Sequence, residues 1–168
     1  YNKVKIIDLS ADFRLDNIES YIKHYGNNHI CNEYLNDFIY GLAEINKEDI
    51  VKANNIAVPG CYPTSVLLPL IPLVKNNLIK TKNIIIDSKS GYSGAGKKFD
   101  INNIKSENEL NFYNYNTNSH RHMSEIKQEL SKFSLENELS FSFNPHILPN
   151  FRGMMTTIYC DLKNKIKI

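Results

Sequence analysis

The amino-acid sequence predicts an α+β fold on three observations. Short β-branched runs at residues 4–9 and 83–88 have the length and composition of strands. Apolar residues at helical spacing mark helices between and after them. Late in the chain apolar and polar residues alternate with period two, as in half-buried antiparallel strands. Taken in order, Val4-Lys5-Ile6-Ile7-Asp8-Leu9 is expected as a buried strand. Asp16-Asn17-Ile18-Glu19 fits a capping box with Asp16 as the cap. Ile18, Tyr21, Ile22 and Tyr25 follow on one helical face, and Gly26 stops the helix. Residues 27–38 are polar and aromatic with little periodicity and are expected as loop. Asn46-Lys47-Glu48-Asp49 starts a second short helix, which Asn54-Asn55 ends.

From Pro63 to about residue 76 the chain is apolar enough for a buried helix. Pro69 and Pro72 make that helix irregular, since interior prolines remove hydrogen bonds and kink helices. The strand at residues 83–88 runs into Ser90-Gly91-Tyr92-Ser93-Gly94-Ala95-Gly96, a loop too rich in small residues to be regular. Residues 100–118 are asparagine-rich with scattered tyrosines and are expected at the surface. Ile126, Leu130 and Phe133 mark an amphipathic helix beginning near Ser124. Leu139, Phe141 and Phe143 alternate with serines, and Ile158, Cys160 and Leu162 alternate with Thr157, Tyr159 and Asp161. That second alternation points Cys160 at the core, where a free cysteine packs as a small hydrophobe.

At 168 residues and 42% hydrophobic, the chain can build one domain, or a domain with part of a second. A formal charge of +2 argues against nucleic acid as the main partner, and the scattered lysines suit a solvated surface. Cys31, Cys61 and Cys160 are odd in number and far apart, without a disulfide framework, which suits a reducing cytosol. No apolar run reaches the ~18 residues that a bilayer demands, so no membrane partner is expected. The chain begins with Tyr1 rather than methionine and is expected to be an internal piece of a longer protein. A cytoplasmic location follows as an expectation, any targeting segment lying outside these residues.

Chemistry concentrates on Val58-Pro59-Gly60-Cys61-Tyr62-Pro63-Thr64. Pro63 suits the first turn of a helix, so Cys61 is expected at or just before a helix N-terminus. Unpaired N–H groups and the positive end of the dipole there would lower its thiol pKa. A buried, inert cysteine at a strand end is the other reading. A cysteine nucleophile needs a proton-handling partner, most often histidine. His120-Arg121-His122 precedes the helix at Ser124, and if extended would place both histidines on one face. Such a pair also suits a metal, with His146 or Cys61 as further ligands, but no spacing in the chain is a zinc motif and no metal is expected. His24 and His29 suit surface or packing roles. Ser90, Gly91, Ser93, Gly94 and Gly96 offer closely spaced amides and hydroxyls that could cradle an anion, or merely form a flexible turn. Arg152 on a turn beside His146 suits a carboxylate or phosphate. Arg14 and the flanking Asp12 are expected as a surface pair if not functional.

Together these stretches resemble the N-acetyl-γ-glutamyl-phosphate reductases, relatives of the aspartate-semialdehyde and glyceraldehyde-3-phosphate dehydrogenases. The matching pieces are Asp8-Leu9-Ser10-Ala11-Asp12-Phe13-Arg14, Tyr40-Gly41-Leu42-Ala43-Glu44, the turn of Cys61, residues 90–96, His120-Arg121-His122 before Glu125-Ile126, and Asn144-Pro145-His146 with Arg152-Gly153. They occur in family order along almost the whole chain. The resemblance implies a glyceraldehyde-3-phosphate-dehydrogenase-like catalytic domain over residues 60–168, its C-terminal end absent. It makes residues 1–59 the tail of a Rossmann-type dinucleotide-binding domain whose glycine-rich half is absent.

It further implies reduction of a small-molecule acyl phosphate with NADPH through a thioester on Cys61. In that scheme His122 is the acid/base and His120 and Tyr115 position substrate, although the residues alone do not rank the two histidines. Ser90, Gly91, Ser93, Gly94 and Gly96 contact the cofactor or the substrate phosphate, and Arg152 and His146 bind substrate. A homo-oligomer, dimer or tetramer, is implied as well, and the fragment alone is expected to be inactive. Ser124 stands where the family pattern has proline, and serine caps a helix acceptably. Three other readings stand beside this one: the same chemistry on aspartyl or carrier-linked aminoadipyl phosphate, a non-catalytic dimerisation or binding module, and a zinc-binding structural domain.

Overall fold

Three short parallel strands organise the first part of the chain. In the computed structural model, which describes residues 4–94, 111–136 and 138–164, β1 (Ile6–Asp8) and β2 (Phe38–Tyr40) both pair with a central β3 (Asn55–Ala57). β1 is an edge strand, and its apolar side chains are exposed, Ile6 by 51% and Ile7 by 63%. The expected burial is therefore not met; among the described residues β1 has a sheet neighbour on one side only. Helix α1 (Ile18–Tyr25) is capped one residue later than the capping-box pattern suggests: the Asn17 side chain accepts from the Ser20 amide at 3.0 Å. Gly26 ends it in the left-handed region at φ 74°, as expected. Residues 27–38 are not all loop, since Asn32–Asp37 form a 3-10 helix and Phe38 opens β2.

Helix α2 (Ala43–Lys52) begins earlier than its polar start signal, with Asn46 non-helical inside it. The Asn46 side chain donates to the Tyr40 carbonyl at 2.9 Å instead, which explains why the sequence marks that residue as a start. Helix α3 (Cys61–Lys75) runs as one element through Pro69 and Pro72, so the two prolines do not divide it. Helix α4 (His122–Ser131) begins at His122 itself, with Arg121 already in helical conformation. Residues 120–122 are thus not extended, and the shared-face argument for the two histidines does not hold.

The remaining strands form a mixed sheet in the order β5-β6-β4-β7, made of β4 (Ile84–Gly91), β5 (Tyr113–Asn114), β6 (Phe141–Leu148) and β7 (Met154–Tyr159). β4 runs parallel to β6 and antiparallel to β7, so the late strands are not uniformly antiparallel. β4 extends through Ser90 and Gly91, which were expected in the loop, while β5 falls inside the asparagine-rich stretch. Gly96 and most of residues 100–118 lie outside the described residues. Cys160 follows β7 and is half-buried, but Leu162 is exposed, so the alternation ends with the strand.

The chain divides into two compact units, Tyr1–Leu68 with Arg121–Lys132, and Pro69–His120 with Phe133–Ile168. Leu15, Leu42, Ala57, Tyr62, Val66, Leu67, Ile126 and Leu130 are buried in the first. Leu70, Ile71, Val74, Ile79, Ile84, Ile86 and Phe143 are buried in the second. This mixture of parallel sheet, mixed sheet and helices is the α+β class that the sequence predicts. Because Phe143 has no exposed surface and lies on β6, Phe143→Ala is expected to cost about 3–5 kcal/mol. A lower urea midpoint with unchanged m-value would register it, and an unchanged midpoint would contradict the assignment.

Candidate active site

The first unit brings Cys61, His122, Glu125 and Arg14 together. Gly60 accepts the first intrahelical bonds of α3 from the amide and hydroxyl of Thr64, both at 2.9 Å, so Cys61 is the first residue of the helix. The His122 ring sits directly on Gly60. A β-carbon there would stand 2.7 Å from Nε2 and 3.0 Å from Cε1 of His122, and 3.1 Å from Nη1 of Arg14. Tyr62, on the other side of Cys61, meets the same imidazole edge to face at 6.0 Å. The histidine therefore flanks the cysteine at both of its sequence neighbours.

Beneath this pair lies a carboxyl group with no exposed surface. Glu125 Oε1 accepts from the Gly60 amide at 2.9 Å and from the Tyr40 hydroxyl at 2.8 Å. Oε2 is 3.8 Å from Arg14 Nη1. Burial, the largest influence, raises the Glu125 pKa above the usual carboxyl value, while the Gly60 amide, Arg14 and Tyr40 pull it back. Burial likewise raises the Tyr40 phenol, and pushes Tyr25 up to about 12 with the Glu125 charge adding to it. Arg14 is not a surface partner of Asp12: it is buried, donating from Nε to the Val58 carbonyl at 2.7 Å and from Nη2 to the Leu9 carbonyl at 3.0 Å. Asp12 instead accepts from the Tyr21 hydroxyl at 2.8 Å.

The Cys61 thiol does not behave as the helix-terminus argument predicts. Desolvation by the atoms packed around it is the largest influence and raises its pKa. The amides of Tyr62 and Cys61 and the Arg14 guanidinium lower it, and Glu125 raises it again. Cys61 still reaches solvent, which tempers the desolvation.

In the second unit, His120 is buried between aromatic rings, edge to face with Tyr115 at 5.6 Å and Phe143 at 5.5 Å. Asn118 fixes that approach, its side chain accepting from the Phe143 amide at 3.0 Å and its amide donating to the Phe143 carbonyl at 3.1 Å. His146 pairs with Asp87, 3.2 Å from Nδ1 to Oδ1, and Lys89 pairs with the same carboxylate. Arg152 is exposed with its guanidinium over the Phe151 ring.

The amides of Gly91, Tyr92 and Ser93 donate to the carbonyls of Gly153, Asn150 and Phe151. The Ser90 hydroxyl is buried and donates to the Gly91 carbonyl. Those three amides and that hydroxyl are thus engaged within the protein and do not form the expected anion cradle. Among the described residues no group of three His, Cys, Asp or Glu side chains could hold a metal ion, and no helix is long and apolar enough to cross a membrane.

Glu125, Arg14 and Tyr40 are site residues that sequence reasoning missed. The available signal was a charged residue three positions after His122, beside the core residue Ile126 on the helix.

Residues 61–168 match the family model described as semialdehyde dehydrogenase, dimerisation domain. The chain is 50% identical over 159 residues to a probable N-acetyl-gamma-glutamyl-phosphate reductase, chloroplastic, of Arabidopsis thaliana, covering 95% of this chain and 39% of that protein. It is 50% identical over 162 residues to the N-acetyl-gamma-glutamyl-phosphate reductase of Acinetobacter baumannii (strain AYE), covering 94% and 46%. The chain thus spans less than half the length of these relatives. Its fold is similar to that of aspartate semialdehyde dehydrogenase II from Vibrio cholerae, with a TM-score of 0.61 at 18% identity, over 95% of this chain and 49% of that one.

The thiol assignment has a direct check. Iodoacetamide alkylation of Cys61, read by peptide mass spectrometry across pH, is expected to show a midpoint above the ~8.5 of a free thiol. Arg14→Gln is expected to move it higher, since the guanidinium favours the thiolate. A wild-type midpoint below that of a free thiol would contradict the assignment.

Proposed function

We propose a function from one premise: the chain belongs to the semialdehyde dehydrogenase family. The full-length protein reduces N-acetyl-L-glutamyl 5-phosphate to N-acetyl-L-glutamate 5-semialdehyde in arginine biosynthesis, with Cys61 as nucleophile. The observation that carries this reading is the His122 ring against Gly60, one residue from a cysteine that opens a helix. The names of relatives 44% to 50% identical support the choice of substrate.

Because desolvation favours the neutral thiol, the attack needs a base at hand. His122 takes the thiol proton as Cys61 Sγ bonds to the acyl carbon and phosphate departs, leaving a thioester. NADPH is the proposed reductant and supplies the hydride when bound to the full-length protein. When the reduced carbon lets go of sulfur, His122 returns the proton to the thiolate and the aldehyde leaves. His120 and Tyr115, already ring to ring, position substrate, the Arg152 guanidinium offers a cation to its carboxylate or phosphate, and His146 binds substrate beside it.

The engaged amides of Gly91, Tyr92 and Ser93 do not fit a phosphate, so they are given no part in holding the cofactor. Ser93 through its hydroxyl, with Gly94 and Gly96, keeps that role in the proposal. Residues 1–59 are assigned to the end of a dinucleotide-binding domain and 60–168 to most of the catalytic domain, a boundary that the match beginning at Cys61 supports. A homo-oligomer is proposed on the description of that match. A cytoplasmic location belongs to the same proposal, with a plastid, the address in one relative's name, as its alternative.

In the full-length protein, phosphate-dependent oxidation of N-acetylglutamate semialdehyde with NADP is expected to exceed that of aspartate semialdehyde. The reverse preference would overturn the substrate assignment. Cys61→Ser is expected to lower kcat by on the order of 10³-fold or more, and His122→Gln by roughly 10²–10⁴-fold. A fully active Cys61→Ser protein would sink the mechanism.

A further inference from the structure

We infer that Glu125 is a positioning residue for the nucleophile, holding the Gly60 amide while Arg14 and Tyr40 hold its carboxyl group. The turn before Cys61 is gripped at two points. Arg14 Nε binds the carbonyl of Val58 at 2.7 Å, and Glu125 Oε1 accepts from the amide of Gly60 at 2.9 Å. The Gly60 carbonyl is fixed in turn by the amide and hydroxyl of Thr64, so both sides of this residue are held. Glu125 is itself located by the Tyr40 hydroxyl at 2.8 Å and by Arg14 at 3.8 Å. Arg14 follows β1, Tyr40 ends β2 and Glu125 lies in the first turn of α4, three positions after His122. One carboxyl group therefore ties three separate stretches to the residue that precedes the thiol. His122 is set by the same arrangement, because its ring occupies the space left by the missing side chain of Gly60. Displacing Gly60 would shift the sulfur and the imidazole relative to each other.

This inference rests on the reading of Cys61 as nucleophile, and the experiment separates the two. In the full-length protein Glu125→Gln, which retains an oxygen for Gly60 and Tyr40, is compared with Glu125→Ala, Tyr40→Phe and Cys61→Ser. Folding of each is checked by circular dichroism. Glu125→Ala is expected to lower kcat by about 10²-fold with KM little changed, since misplacement by an ångström has that effect. It should also accelerate hydrogen exchange at the Gly60 amide. Glu125→Gln is expected to restore both the protection and most of kcat, a rescue that loss of core packing alone would not produce.

A folded Glu125→Ala protein with wild-type kcat overturns the inference, as does a Gln variant no better than Ala. If Glu125→Ala does not fold, Tyr40→Phe decides: a fall in kcat at constant KM supports the positioning role, and an unchanged kcat overturns it. Activity retained in Cys61→Ser overturns the nucleophile reading instead. Activity lost in Cys61→Ser but intact in Glu125→Ala overturns only the role of Glu125.

Discussion

A carboxyl group without solvent must find its hydrogen bonds inside the protein, and the first unit is arranged around that demand. Glu125 has no exposed surface, so its two oxygens require donors. The Tyr40 hydroxyl and the Gly60 amide, both far along the chain, donate to one oxygen, while the other has no hydrogen bond and is met only by the Arg14 guanidinium as an ion pair at 3.8 Å. Breaking a buried pair by removing one partner costs about 3–5 kcal/mol, whereas the intact pair adds little over apolar packing. The network therefore acts less as a source of stability than as a constraint on which arrangement of the β1–α1 loop, β2 and the cysteine turn is allowed. Gln128 adds to that constraint by bonding the Arg14 carbonyl at 3.1 Å and the Asp16 amide at 2.8 Å, which moors α4 along the same loop.

The consequences for the thiol run in opposite directions. A helix N-terminus and a nearby guanidinium favour thiolate, while a desolvated setting with a carboxyl group below it favours thiol, and the second influence wins. A thiol held in the protonated form avoids adventitious oxidation and alkylation, because the thiolate is the reactive species. In the proposed mechanism it gives up a proton as it attacks, and His122, packed on Gly60, is the proposed acceptor. The Gly60 position leaves the room for that ring: any side chain there would displace the imidazole.

Much of the fold was readable because it rests on local signals. The apolar spacing of Ile18, Tyr21 and Tyr25, the left-handed Gly26 and the alternation around Phe143 are all determined within a few residues. What the sequence hid depends on neighbours distant along the chain. β1 has the composition of a buried strand but lies at a sheet edge. The α3 helix was expected from Pro63, but it opens two residues earlier, at Cys61. Of the site, Cys61 and His122 were found by residue type, but Arg14 looked like a surface cation beside Asp12. Glu125 looked like an ordinary member of a helix. Their roles arise from burial and from contacts spanning up to 114 positions, which no local pattern encodes.

The glycines make the same point from the other side. A glycine-rich stretch can signal a ligand cradle, or simply a place where another group passes too close for a β-carbon. Gly60 and Gly91 are both of the second kind, since a β-carbon on Gly91 would stand 2.8 Å from the carbonyl oxygens of Asn150 and Phe151. Yet the two differ in what passes. At Gly91 it is the backbone of the turn between β6 and β7, and the amides that might have faced a phosphate are drawn into holding that turn. At Gly60 it is an imidazole beside a thiol. Glycine marks both positions equally in the sequence, and only the identity of the neighbour sets one against a backbone turn and the other against the imidazole of the proposed pair.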